Sequence, residues 1–164
     1  MDLTCPRCHR DFVQRVQPAN LFEHLGAIIA IAPFRCQLCT FRFHAFQSGS
    51  EAGRQPVDRR QFIRFAVRIP VTFTGEVRGE GTITDLSMGG CAMEADVKLL
   101  TGKVLHLRLK PMEDQPTIGV EGAVVRSVRG TISGLEFLRI APGDSDRLSK
   151  FIGGLLLARK TGKP

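Results

Sequence analysis

From Arg59 onward, Gly, Pro and Asp cut the chain into six short β-rich runs, at 67–73, 81–85, 91–94, 104–109, 120–128 and 132–137. Short runs bounded by turn residues read as strands, and six in succession predict a small barrel. Within 104–109 the alternation turns Leu105, Leu107 and Leu109 toward a core and leaves His106 and Arg108 outward, so His106 reads as a surface histidine. After the last run, Leu148, Phe151, Ile152, Leu155 and Leu156 recur at helical spacing over 144–159, with Asp144 or Ser145 available as the N-cap and Arg159 and Lys160 at the far end. Gly153 and Gly154 within this helix each cost about 1 kcal/mol relative to Ala, so it is held by packing or frays there.

The 164 residues are 43% hydrophobic and 24% charged, which fits one compact domain with a small appendage and excludes wholesale disorder. Residues 47–58 (QSGSEAGRQPVD) lose nearly all apolar content and read as a linker. The expected division is therefore a small domain over 1–46, the linker over 47–58, and the β-rich domain with its helix over 59–164. The longest apolar stretch, 25–34, is about half of what a bilayer span requires, and no charged leader precedes it. Absence of membrane insertion and a cytoplasmic location are the expectations. Trp and Tyr are both missing, so base stacking would fall to Phe alone, which disfavours nucleic acid as a partner.

The net charge is +7, and 17 of the 23 basic residues are Arg. A guanidinium makes paired hydrogen bonds to phosphate or to a guanine edge, where an ammonium acts as a point charge. The basic excess is densest over 51–70, and it implies an anionic partner.

Four of the five cysteines form two CxxC pairs, Cys5/Cys8 and Cys36/Cys39, while Cys91 stands alone and reads as a small buried hydrophobe. Two such pairs present four thiolates to one tetrahedral zinc and leave no open position for water, so the expected role of the metal is structural. CPRC followed by APFRCQLCTFRF resembles bacterial zinc-ribbon modules over residues 5–46, with the stretch from Leu21, N-capped by Asn20, filling the insertion between the pairs. Other readings stay open at this level: a haem-attachment CxxCH at Cys5–His9, a redox dithiol, metal-free cysteines, and His9 or His44 in place of one thiolate.

Two further motifs complete the sequence. Arg60 and Arg64 form an RxxxR pair, with Arg59 beside them, and a DxSxxG segment follows as Asp85-Leu86-Ser87-Met88-Gly89-Gly90. Arg68 makes a second RxxxR with Arg64. In this order, ahead of Ser133-Gly134-Leu135-Glu136-Phe137 and a final helix, the motifs resemble the PilZ family of bacterial cyclic di-GMP receptors over about residues 59–157. The resemblance favours Arg60 and Arg64 as the motif pair and implies a mainly β fold, a six-stranded PilZ-type barrel with a C-terminal α-helix preceded by the zinc-ribbon domain. It implies a dinucleotide site made of Arg59, Arg60, Arg64, Asp85, Ser87, Gly89 and Gly90.

The chemistry suits such a ligand. Guanidinium groups serve phosphates and the O6/N7 edge of guanine, and Asp85 accepts from guanine N1 and N2. Ser87 would add a hydroxyl, and Gly90 would admit a close approach of ligand to backbone. No catalytic signature accompanies these motifs, so a receptor acting on an unidentified protein is expected rather than an enzyme; a non-binding adaptor and a zinc-ribbon nucleic-acid binder are the alternatives. The arginines lie between the two domains in sequence, so the dinucleotide is expected to order their segment and re-aim the ribbon. Zinc removal is expected to unfold the first domain and leave dinucleotide binding largely intact.

Overall fold

The computed structural model describes residues 3–19, 23, 31–46, 60–112 and 115–162. The expected N-cap Asn20, most of the apolar stretch from Leu21, the linker and Arg59 lie outside them. The chain divides into two compact units, Met1–Ile63 and Arg64–Pro164.

The first unit contains a three-stranded antiparallel sheet in the order β1 (Val13–Arg15), β2 (Ile31–Cys36) and β3 (Arg42–Phe46). Ala32, Phe34 and Cys36 of β2 are buried, and the Phe34 and Phe43 rings stack with centroids 6.0 Å apart. Each CxxC stands at one end of this sheet system: Cys5 and Cys8 precede β1, whereas Cys36 ends β2 and Cys39 lies in the turn before β3.

The second unit is a closed six-stranded barrel. Its strands are β4 (Phe65–Thr74), β5 (Gly79–Ser87), β6 (Gly90–Glu94), β7 (Val104–Leu109), β8 (Ile118–Arg129) and β9 (Ile132–Arg139), paired around the ring as β4-β5-β6-β9-β8-β7 with every neighbour antiparallel. Closure removes the exposed edges that an open sheet of short strands would leave. Alternate residues fill the interior, including Ile69, Val71 and Phe73 from β4, and Leu105, Leu107 and Leu109 from β7, while His106 and Arg108 face outward. The first barrel strand starts at Phe65, two residues earlier than the apolar run predicts, because Phe65 and Ala66 continue the pairing with β5 through a bulge before Ile69.

The helix α1 (Pro142–Thr161) follows β9 and packs on β8. Its cap differs from the expected one. Ala141 is the N-cap with no side-chain bond, Pro142 opens the first turn, and Asp144 lies inside that turn, where its carboxylate pairs with Arg147 at 2.7 Å. Proline already has the helical φ and no amide to satisfy, so it sets the start upstream of Asp144. Leu148, Ile152 and Leu156 are buried on one face. Burying each contributes about 1.5–3 kcal/mol, which outweighs the two glycines, and the helix runs unbroken through Gly153 and Gly154. No helix among the described residues is long and apolar enough to cross a membrane.

Candidate functional site

The four paired cysteines converge. The Sγ atoms of Cys5, Cys8, Cys36 and Cys39 all lie within 4.8 Å of one another, with Cys5 to Cys39 at 3.5 Å and Cys8 to Cys36 at 3.6 Å. A tetrahedron of sulfurs about 2.3 Å from a central zinc has edges of about 3.8 Å, so the donor set has the size and chemistry of a four-thiolate site. Burial pushes the Cys5 thiol up, but the amides of Cys8 and Arg7 and the neighbouring thiols outweigh it and bring it down to about 7. Burial dominates at Cys36 and Cys39 and raises both thiols. Crowded thiols of this kind ionise together only when a cation offsets their mutual repulsion.

The two CxxC loops share one geometry. Cys5 N–H donates to Arg10 O at 2.9 Å and Cys36 N–H donates to Phe41 O at 2.9 Å, five residues on in each case. The residue after the second cysteine is left-handed in both loops, His9 at φ 58° and Thr40 at φ 59°. His9 is thus a loop-closing residue with an exposed side chain, outside the cysteine cluster. His44 is engaged elsewhere, its Nε2 lying 2.9 Å from Glu23 Oε1.

Gln37, inside the second CxxC, is a residue the motif reading missed. Its side chain is buried, at 3% exposure, and reaches 24–26 residues forward. Nε2 donates to Gln61 O at 3.2 Å and to Arg35 O at 3.4 Å, and Oε1 accepts from Ile63 N–H at 2.7 Å. Between the two gripped residues, the Phe62 ring lies under the Arg35 guanidinium, 5.2 Å from Cζ to the ring centre. Arg35 also donates to Thr40 O at 3.3 Å. Residues 61–63 are therefore held by the loop that carries Cys36 and Cys39, and nothing in the CxxC pattern signals a polar clamp at its second position.

Arg60 belongs to the first unit and is exposed; Arg64 opens the second. Arg64 Nη1 stands 3.8 Å from Asp85 Oδ1, an electrostatic pair too long to be a hydrogen bond. Asp85 Oδ1 is buried and has no hydrogen-bond partner, although the side chain as a whole is one-third exposed. Asp85 reaches this position after a bulge in β5 between Ile83 and Asp85. Arg68 points outward from β4.

The rest of the DxSxxG segment is a hairpin. Ser87 and Gly90 pair across the Met88-Gly89 turn, and Ser87 Oγ donates to Gly90 O at 3.1 Å. Ser87 is 3% exposed, and its hydroxyl braces the turn. Gly89 O accepts from Phe137 N–H at 2.9 Å. Gly90 lies close against a neighbouring strand. What approaches it closely is strand β9, since a Cβ there would collide with the Leu135 carbonyl oxygen. Cys91 is 1% exposed, and burial, with the Asp85 carboxylate adding to it and Arg64 opposing, pushes its thiol up to about 12.

The fold recurs in solved structures. The Bacillus subtilis inhibitor of motility MotI/DgrA is 21% identical, with a TM-score of 0.54 over 77% of this chain, which spans 66% of that protein's length. Escherichia coli YcgR, solved in complex with c-di-GMP, is 18% identical, with a TM-score of 0.52 over 92% of this chain and 76% of that one. No curated protein matches the sequence at a significant level. The PilZ domain model matches residues 58–154, more than half of the chain and the whole run from the arginine motif into the terminal helix, and the chain belongs to the PilZ family.

Proposed function

We propose that the chain is a cyclic di-GMP receptor, a binding module of the cytoplasm that passes the signal to a protein partner without catalysing a reaction. The observation that carries this reading is the Arg64–Asp85 pair: a guanidinium held near a carboxylate but not bonded to it, beside a buried acceptor oxygen with no donor. An unsatisfied acceptor of this kind costs about 1–3 kcal/mol, and a ligand that supplies donors recovers it. Asp85 accepts from guanine N1 and N2, while Arg64 and Arg60 supply paired donors to phosphate oxygens or to guanine O6 and N7. Arg59 adds positive charge. Ser87, Gly89 and Gly90 form the hairpin that follows Asp85 and fixes it beside the ligand.

Family membership supports the same ligand class, and YcgR was solved with it. Because Arg60 and Arg64 belong to different units, a dinucleotide that engages both sets the direction of the cysteine module, and that change is what the partner reads. Cys5, Cys8, Cys36 and Cys39 hold a structural zinc, which supplies folding energy to the first unit.

The test is calorimetric titration of the zinc-loaded chain with cyclic di-GMP, with GTP and a linear dinucleotide as controls. Saturable, selective binding that Arg60→Ala and Arg64→Ala each abolish supports the receptor. No heat with any of the three ligands overturns it.

A further inference from the structure

The arginine motif and the cysteine cluster are separate motifs in sequence, yet one side chain joins them. Gln37 lies between Cys36 and Cys39, and its carboxamide spans Gln61 and Ile63, the residues on either side of Phe62 within the Arg60–Arg64 interval. We infer that Gln37 is a positioning residue through which metal occupancy of the four-cysteine site orders the arginine segment, so that dinucleotide affinity depends on the metal. The consequence for affinity rests on the receptor reading above; the ordering of the segment does not.

The geometry makes this connection in three steps. Metal binding fixes the Cys36–Cys39 loop, because two of its four ligands bound Gln37 and Leu38. A fixed loop fixes Gln37, whose backbone N–H donates to Phe12 O at 2.8 Å and whose buried side chain has both its acceptor and its donor engaged. Gln37 then grips the segment by the Ile63 amide and the Gln61 carbonyl, leaving one peptide unit between the grip and Arg64 and one between the grip and Arg60. The Arg35–Phe62 stack adds a second hold from the same strand end.

A carboxamide is the group that this grip requires, since it donates and accepts at once in a buried setting. This reverses the expectation that metal and dinucleotide act independently. Linkage then makes the effect reciprocal: if zinc raises dinucleotide affinity, the dinucleotide raises zinc affinity by the same factor.

The deciding comparison uses the full chain as wild type, Gln37→Leu and Gln37→Glu, each with and without zinc. Hydrogen exchange is read at the Ile63 amide, and cyclic di-GMP is titrated by calorimetry. Visible absorption of the cobalt(II)-substituted proteins reports whether each variant still forms the four-thiolate site. Zinc-loaded wild type should protect Ile63 and bind the dinucleotide, whereas zinc-loaded Gln37→Leu should lose both by about tenfold or more, the scale of one or two hydrogen bonds.

Gln37→Glu keeps the acceptor for Ile63 N–H but loses the donor, and should fall between the two. Wild-type protection of Ile63 in a Gln37→Leu chain with an intact cobalt spectrum overturns the inference, as does equal protection in wild type with and without zinc. If Gln37→Leu fails to form the cobalt site, the comparison of Ile63 protection in wild type with and without zinc decides. Dinucleotide binding absent from zinc-loaded wild type would sink the receptor reading, and the exchange measurement would still decide the clamp.

Discussion

Gly90 and Leu135 meet across β6 and β9 with no room between them, since a Cβ on Gly90 would overlap the Leu135 carbonyl oxygen. The obstruction is backbone, so no rotamer change relieves it, and β6 would have to leave its partner. Gly90→Ala should therefore destabilise the barrel by about 3 kcal/mol, at the upper end for overpacking a filled site. Thermal unfolding measures this directly. A fully stable Gly90→Ala barrel that had lost only dinucleotide affinity would return this glycine to a ligand-contacting role.

Asp85→Asn separates the site from the scaffold in the opposite way. The carboxylate oxygen nearest Arg64 is buried without a hydrogen-bond donor, which is a cost to the fold, so removing its charge should leave stability unchanged or raise it by about 1 kcal/mol. Cyclic di-GMP affinity should fall by about tenfold to a hundredfold, as expected for losing a charge-assisted hydrogen bond. Paired melting and calorimetry on one preparation check both halves, and unchanged affinity would remove Asp85 from the site.

The barrel was legible because its strands obey simple rules. Leu105, Leu107 and Leu109 alternate with outward residues, and Gly, Pro and Asp mark the turns. The first sheet was not legible, since β1 has three residues and Pro33 interrupts β2, the central strand, where the missing amide argues against such an assignment. The cysteine cluster followed from spacing alone, whereas the Gln37 clamp joins residues more than twenty apart through main-chain groups, which no side-chain pattern encodes. Arg64 and Asp85, the charge-bearing motif residues, were legible as a pair, and the fold brings them to 3.8 Å. The part that Ser87 and Gly90 play in the hairpin was not legible, because a hydroxyl turned onto Gly90 O and a close approach of Leu135 O exist only in three dimensions.

His9 and Thr40 close the two CxxC loops in the left-handed conformation, which costs a residue with a Cβ roughly 1–2 kcal/mol and costs glycine little. His9→Gly should therefore stabilise the metal-loaded first unit by about 1 kcal/mol, reduced somewhat by the greater freedom of glycine in the unfolded chain. His9 is the cleaner test because its side chain is exposed. Resistance to chelator-driven metal loss should rise in His9→Gly, and a faster loss would show that the imidazole supports the site.

Glu23 gives the first unit an acid sensitivity whose sign is fixed by its surroundings. Its carboxylate accepts from Arg42 Nε at 3.2 Å, from Ala19 N–H at 2.6 Å and from His44 Nε2 at 2.9 Å, and the side chain is 9% exposed. Arg42, working against burial and with help from Ala19 and His44, holds the carboxyl at about 2 against an ordinary 4.5. A depressed carboxyl stabilises the fold fully above its unfolded value and loses that contribution as pH falls through its folded one. Between about pH 4.5 and 2 the Glu23 contribution therefore disappears. Protonation of metal-bound thiolates acts in the same direction, so the quantity to follow is the difference between wild type and Glu23→Gln, not the wild-type curve alone. That difference should be on the order of 1–3 kcal/mol in favour of wild type at neutral pH and should close as the solution approaches pH 2. A difference that stays constant across the range would mean that Glu23 acts by shape and hydrogen bonding without its charge.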